Sequence, residues 1–314
     1  MSQPPAKRPV YRIRNWAQYN KALTQRGSLT VWIDQDALDA WNDNRPHQWG
    51  AQYLYSDTAI RCLLTLRAVF RMPLRATQGF ARSVFEMMGL ALTVPDYSTL
   101  CRRAADLAVD LSRKSKGPLH LVLDSTGLKV YGEGEWKVRK HGYTKRRTWR
   151  ELHLAIDAET HEVQAVAVTE AGVDDAEVVD RLLQPIDRPV ARAAADGAFD
   201  QRKVYRVLEP RTAEVLIPPR RNARIWRHGN RAGPPLARDE NLRLIRQVGR
   251  REWKRLVGYH VRSLAETGMF RVKTIFGGHL ASRRPDRQAT EGVIRCRALN
   301  LMTHLGMPES YRVV

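Results

Sequence analysis

The sequence predicts an α/β fold: a mixed sheet with helices on its faces, preceded by a helical region. Three observations carry this. Between residues 119 and 217, short apolar runs alternate with amphipathic segments in the order β-β-β-α-β-α-β. Residues 57–114 hold apolar positions at helical spacing instead. A late stretch, Tyr259–Lys273, reads as an amphipathic helix whose polar stripe is unusual in kind.

Taken in order, residues 1–10 are Pro-rich and basic and predict a disordered arm. Asn15 is a candidate cap for a helix presenting Trp16, Tyr19 and Leu23 and ending at Gly27. Leu29–Asp34 is a short β-prone run. Thr58–Arg71 presents Ile60, Leu63, Leu64 and Val69 and stops before Pro73; Arg75–Met88 presents Ala76, Phe80, Val84 and Met87, with Gly89 just past its end. Asp96 can cap a third helix with Leu100, Ala104, Leu107 and Leu111 on one side and Arg102 and Arg103 facing out. Helix, turn and helix with exposed arginines suit a DNA reader, although the connection 89–96 is longer than the compact turn of that motif. A plain helical bundle packed on the next domain is the equal alternative.

Lys114–Lys116 with Gly117 and Pro118 reads as a linker, dividing residues 1–116 from a second domain, 117–314. Leu119–Asp124 is a strand ending in an acid. Leu152–Asp157 and Glu162–Thr169 flank a tight turn and predict a hairpin. Asp174–Leu183 is a helix whose first acids, Asp174 and Asp175, read as caps. Val190–Asp196 is another acid-terminated strand, followed by a helix from Gln201 to Leu208 with Asp200 as its cap, and a strand from Ala213 to Ile217. Two basic segments interrupt this order. Residues 136–150 interleave Lys145, Arg146 and Arg147 with Trp136, Tyr143 and Trp149. The insertion 218–257 is rich in arginine, including Arg220, Arg221 and Arg224, and its Gly229, Gly233, Pro234 and Pro235 predict loop. A helix over 289–305 closes the pattern, with Ile294, Ala298, Leu301 and Leu305 inward.

Composition narrows the partner. The chain of 314 residues is 43 % hydrophobic, enough for a sizeable core, and carries a net charge of +20. An excess of this size, mostly arginine, fits a polyanion gripped through bidentate phosphate contacts. No apolar run reaches membrane length and the N-terminus lacks a secretory core, so nucleic acid is favoured over a membrane. Basic segments with interleaved aromatics suit a phosphate backbone and stacked bases. Cys62, Cys101 and Cys296 are far apart, without metal-ligand spacing, and read as reduced thiols of a cytoplasmic protein.

The chemistry converges on three acids. At about 100° per residue, Tyr259, Arg262, Glu266 and Lys273 fall within roughly 60° of one another on a helix, opposite Val261, Leu264, Ala265, Val272, Ile275 and Phe276. One carboxylate among cations and a phenol is either a solvated face with ordinary charge pairs or a metal ligand flanked by phosphate grips. Asp124 and Asp196, each closing an apolar strand, lie where ligands bind at a sheet rim. With Glu266 they can hold two Mg²⁺ ions about 3.5–4 Å apart, with Mn²⁺ able to substitute. No histidine pair has zinc spacing, and Ser125 lacks the G-x-S-x-G context of a hydrolase nucleophile. Gly268, which costs about 1 kcal/mol in a helix relative to Ala, suggests the close approach of a backbone or a DNA strand.

Three motifs then carry a resemblance. Leu121-Val122-Leu123-Asp124-Ser125-Thr126-Gly127 resembles the first-acid block of bacterial insertion-sequence transposases of the DDE class, in the group called the IS-five family. Ala195-Asp196-Gly197-Ala198-Phe199 resembles the second, and Tyr259-x-x-Arg262-x-x-x-Glu266 with Lys273 matches the third-acid signature at every spacing. The resemblance covers residues 118–305 and implies an RNase H-like catalytic domain. It also implies that Asp124, Asp196 and Glu266 bind two divalent metals for DNA nicking and strand transfer. Tyr259, Arg262 and Lys273 would hold phosphates nearby, and the basic insertion would clamp the terminal inverted repeat. Trp136, Trp149 and Trp226 are candidates for stacking on an unpaired base. Pairing two DNA ends with target DNA implies a homo-oligomer on DNA, in a bacterial cytoplasm and nucleoid. The alternatives are a Mg²⁺-dependent nuclease of the same fold without strand transfer, and a non-catalytic DNA-binding repressor.

Overall fold

A computed structural model of the chain describes residues 10–46, 53–131, 148–228, 233 and 235–313. The N-terminal region contains β1 (Val10–Ile13), α1 (Trp16–Gln25), a 3₁₀ turn (Leu29–Val31), α2 (Gln35–Asp39), α3 (Asp57–Val69), α4 (Leu74–Met87) and α5 (Tyr97–Arg103). Then come the strands β2 (Leu119–Tyr131), β3 (Thr148–Asp157) and β4 (Val163–Glu170), helix α6 (Asp175–Leu183), β5 (Val190–Ala194), α7 (Arg202–Leu208) and β6 (Thr212–Leu216). The chain closes with α8 (Ala237–Val248), α9 (Arg250–Leu256), a 3₁₀ turn (Tyr259–Arg262), α10 (Ser263–Phe276), α11 (Pro285–Leu305) and β7 (Ser310–Val313).

The five central strands lie side by side in the order β4-β3-β2-β5-β6. β2, β3 and β4 form an antiparallel meander; β5 and β6 run parallel to β2. This is the RNase H-like mixed sheet, and the expected order of elements builds it. Alternation along the strands assigns the two faces. Leu119, Leu121 and Leu123 meet Val179, Leu182, Val204 and Leu208 of α6 and α7. Leu128, Leu152, Leu154 and Ile156 meet Met269 and Val272 of α10 and Ile294 and Ala298 of α11. The helices α3, α4 and α5 share that second core through Ile60, Leu63, Phe85 and Leu100.

Glycines set how closely the covering helices approach. A Cβ on Gly268 of α10 would lie 2.3 Å from Cδ1 of Ile156, and one on Gly292 of α11 would lie 2.6 Å from Cγ2 of Val168. Gly268 therefore admits a β3 side chain, where the sequence suggested a backbone or a DNA strand.

Several other expectations change. Leu29–Val31 is a 3₁₀ turn where a β-prone run was expected. Asn15 makes no capping bond to its helix; its amide ties the two ends of the chain together, donating to the Met307 carbonyl at 3.0 Å and accepting from the Glu309 amide at 2.8 Å. Beside it, β1 pairs antiparallel with β7, two strands too short to signal themselves. Helix α4 buries Thr77, Ala81, Val84 and Phe85, leaving Met87 85 % exposed. Helix α5 ends at Arg103, so Leu107 and Leu111 are buried from irregular chain beyond it. Arg103 turns inward to pair with Asp57 and donate to the Tyr55 carbonyl at 2.7 Å, because α5 presents it to the start of α3. Arg102 stays exposed, as expected.

Asp200 does not cap α7. It is buried and pairs with Arg238 at 2.6 Å, while Asp239 accepts the backbone amides of Trp226 and Arg227. This knot folds the basic insertion, which holds the two helices α8 and α9 where loop was expected. Cys62 and Cys296 are buried free thiols, and burial pushes both up to about 12. Among the described residues no helix is long and apolar enough to cross a membrane.

Candidate active site

The parallel register brings two of the acids together. Val122 of β2 pairs with Ala194 of β5. Asp124 and Asp196 each lie two residues further on, so they extend from neighbouring chains on the same side. Asp196 follows the end of β5 as expected. Asp124 does not end its strand: β2 continues to Tyr131, held by β3, but its pairing with β5 stops at Val122. The acid therefore sits where β5 parts from β2, on an interior strand with one side open. The Asp196 carboxylate accepts from the Ala198 amide at 2.8 Å, closing the turn after β5.

Helix α10 packs across β2 and β3 and brings the third acid to this notch. The link is Arg262, whose guanidinium donates to Asp124 Oδ2 at 3.2 Å and to Glu266. The Asp124 carboxyl is raised above its ordinary value, mainly by burial, with the Asp196 charge adding to the rise; the Ser125 amide and Arg262 oppose it. Glu266 is more than half exposed and faces outward beside it.

The residues of the signature do not form one stripe. Gly258 takes a left-handed conformation (φ 65°), and the chain from Tyr259 to Arg262 winds as a 3₁₀ turn before α10 begins. A tighter turn changes the angular spacing. Tyr259 is thereby buried, donates its hydroxyl to the Ala195 carbonyl at 3.0 Å and packs 5.5 Å from Trp253. Burial pushes its phenol up to about 12. Tyr259 thus braces the residue before Asp196 instead of facing a phosphate, and Val261 is exposed rather than inward. Lys273 lies half-buried near the end of α10.

Arg220, Arg221 and Arg224 are exposed on the segment after β6. Trp226, a stacking candidate, is packed against Arg238 (3.8 Å) and edge-on to Tyr205 (5.4 Å). Trp149 is buried and bonds Glu151 at 2.7 Å. Lys145, Arg146, Arg147, Trp136 and Tyr143 lie outside the described residues. Sequence reasoning missed Asn241 and Trp253. Trp253 is fully buried and donates to Asn241 at 3.0 Å, and Asn241 donates to the Val215 carbonyl at 3.0 Å, which anchors the insertion to β6 beneath Tyr259. The apolar spacing of Leu242, Ile245, Trp253 and Val257 is the signal that could have revealed these helices.

A family model described as a transposase DDE domain matches residues 115–301, more than half of the chain. The chain belongs to the DDE transposases. A second model of the same description matches residues 24–133. Among solved structures, the cryo-EM structure of a piggyBac transposase synaptic complex with hairpin DNA is similar at a TM-score of 0.43 and 11 % identity, over 88 % of this chain and 75 % of that one.

DDE transposases act on DNA with divalent metal ions. Among the described residues no three His, Cys, Asp or Glu are gathered into a ready metal cage. The donors nevertheless fit a hard cation. Mg²⁺ binds through one or two carboxylates and completes its shell with water and substrate oxygens. Asp124 and Glu266 already share one positive group, the Arg262 guanidinium, so a cation position between them is electrostatically satisfied.

Proposed function

We propose that this transposase binds the inverted-repeat ends of its own element, cleaves there and joins the freed ends to target DNA, with Asp124, Asp196 and Glu266 as its catalytic acids. The observation that carries this is the shared register of Asp124 and Asp196 on neighbouring parallel strands, with Arg262 tying Asp124 to Glu266. The three carboxylates would hold two Mg²⁺ ions, with Mn²⁺ able to substitute. When bound, such ions activate a water or a DNA 3′-hydroxyl and stabilise the leaving oxygen. Asp124 and Asp196 fix the site to the sheet, and Tyr259 holds the chain before Asp196 in place. Glu266 completes the site from the open side, where DNA enters. Arg262, when released from Asp124 and Glu266, is in reach to grip a phosphate bidentately. Arg220, Arg221, Arg224, Lys273, Arg102 and the 145–147 cluster supply the remaining phosphate contacts. Pairing two DNA ends favours a homo-oligomer on the DNA, within the bacterial nucleoid.

A strand-transfer assay with labelled element ends, a plasmid target and Mg²⁺ tests this reading. Cleavage followed by joining is expected from the native chain. Cleavage without joining would reduce the protein to a nuclease, and binding without cleavage to a repressor. End binding should fall steeply with salt, as phosphate-dominated contacts do.

A further inference from the structure

On the face of the sheet opposite Asp124, a polar chain gathers around the buried His153 beside helix α6. Ser125 points to that face because side chains alternate along β2. Its strand partner is His153 of β3, which is 1 % exposed. Asp175 at the start of α6 lies 3.2 Å from His153 Nδ1. The other ring nitrogen, Nε2, is 2.8 Å from the Thr169 hydroxyl, which in turn bonds the Glu170 carbonyl at 3.2 Å. The sequence suggested that Asp174 and Asp175 both cap α6. Only Asp174 does so, accepting from the Ala176 amide at 3.0 Å. Asp175 turns its carboxylate under the sheet instead.

The chain ends at the candidate site. Ser125 donates its own backbone amide to Asp124 Oδ1 at 2.9 Å. Ser125 thus meets Asp124 through its amide and lies opposite the buried His153 on the α6 side. Asp124 also sits where β2 has lost its β5 partner, so the sheet constrains it from one side only. Three polar side chains, on β2, β3 and α6, gather beside that point.

We propose that Asp175, His153 and Ser125 are positioning residues that fix the orientation of Asp124 for its metal. Outer groups of this kind orient a ligating carboxylate and commonly change metal affinity about 10–100-fold when removed. The inference rests on the reading of Asp124 as a metal ligand.

Mn²⁺ titration of the full chain, followed by the loss of the free-ion paramagnetic resonance signal, tests it beside thermal melting. Ser125→Ala removes the hydroxyl but keeps the amide and the Asp175–His153 pair. It should weaken Mn²⁺ binding about 10-fold with little change in Tm, and Ser125→Thr should restore it. Asp175→Asn, which breaks the pair from the other end, should weaken binding in the same direction. If Ser125→Ala and Asp175→Asn lower Tm alone and bind Mn²⁺ as the native chain does, the pair only docks α6 and the proposal falls. Asp124→Ala separates the two readings. If it abolishes binding while Ser125→Ala is silent, positioning fails and the ligand assignment stands. If Asp124→Ala itself binds normally, the ligand assignment fails and takes the proposal with it.

Discussion

Arg262 donates to Asp124 at 3.2 Å while also bonding Glu266, so a single guanidinium pairs with two of the three candidate acids. It occupies the electrostatic place that a metal ion would fill, and a metal must displace it to reach both carboxylates. Arg262→Gln should therefore bind Mn²⁺ more tightly than the native chain in a calorimetric titration, while cutting DNA more slowly. Weaker metal binding in the variant would show that Arg262 supports the site rather than competing for it.

The same site lowers the stability of the fold. The folded pKa of Asp124 is raised above the ordinary 3.8, chiefly by burial, with Asp196 contributing. Between 3.8 and the raised value, the folded state binds more protons than the unfolded one. Stability then falls as pH rises through that window and stays lower at neutral pH. Asp124→Asn should melt at a higher temperature than the native metal-free chain near pH 7, with the gap shrinking toward pH 4. A lower Tm at pH 7 would contradict this sign.

Glu162 behaves in the opposite way. It is buried, which opposes ionisation, but the Ser115 and Lys114 contacts and His304 outweigh burial and hold the carboxyl at about 2, below its ordinary 4.5. It accepts the Lys114 and Ser115 amides at 2.9 and 3.0 Å and meets His304 of α11 at 2.6 Å. Its contribution is complete above pH 4.5 and is lost as pH falls toward 2. Glu162→Gln should cost about 1–3 kcal/mol at pH 7, because it leaves buried donors poorly matched. The gap should narrow in acid, as read by urea unfolding at several pH values.

Gly268→Ala sets two effects against each other. Helix propensity favours Ala by about 1 kcal/mol. The new methyl meets Ile156 Cδ1 at 2.3 Å in a buried layer, and overpacking of that kind costs about 1–3 kcal/mol. The substitution should destabilise the protein on balance. Ile156→Val removes the clashing atom, leaving Cγ1 at 3.7 Å, and the double variant should recover the loss. A Gly268→Ala protein more stable than the native chain would show that Ile156 yields freely.

What the sequence revealed and what it hid follow a physical division. Strands β2 to β6 and helices α6 and α7 were legible because each is marked by local periodicity. The places of Asp124 and Asp196 on the sheet were legible because each closes an apolar run. Long-range pairing was hidden. Nothing local says that Arg103 will meet Asp57, that Asp200 will leave its helix for Arg238, or that the chain ends will pair through β1 and β7. The signature stretch was misread in its first turn, because a left-handed Gly258 and a 3₁₀ turn rotate Tyr259 into the core. The insertion was read from its glycines and prolines, which masked the sparser apolar spacing of α8 and α9.

The most direct test of the central claim is single-turnover cleavage of an element end in Mg²⁺, for Asp124→Asn, Asp196→Asn, Glu266→Gln and their pairwise combinations, with end binding measured in parallel. Residues acting as one catalytic unit are non-additive. Each single variant should bind DNA yet drop cleavage to background, and no double should fall further. A single variant that cleaves at the native rate would remove that acid from the site and contradict the account.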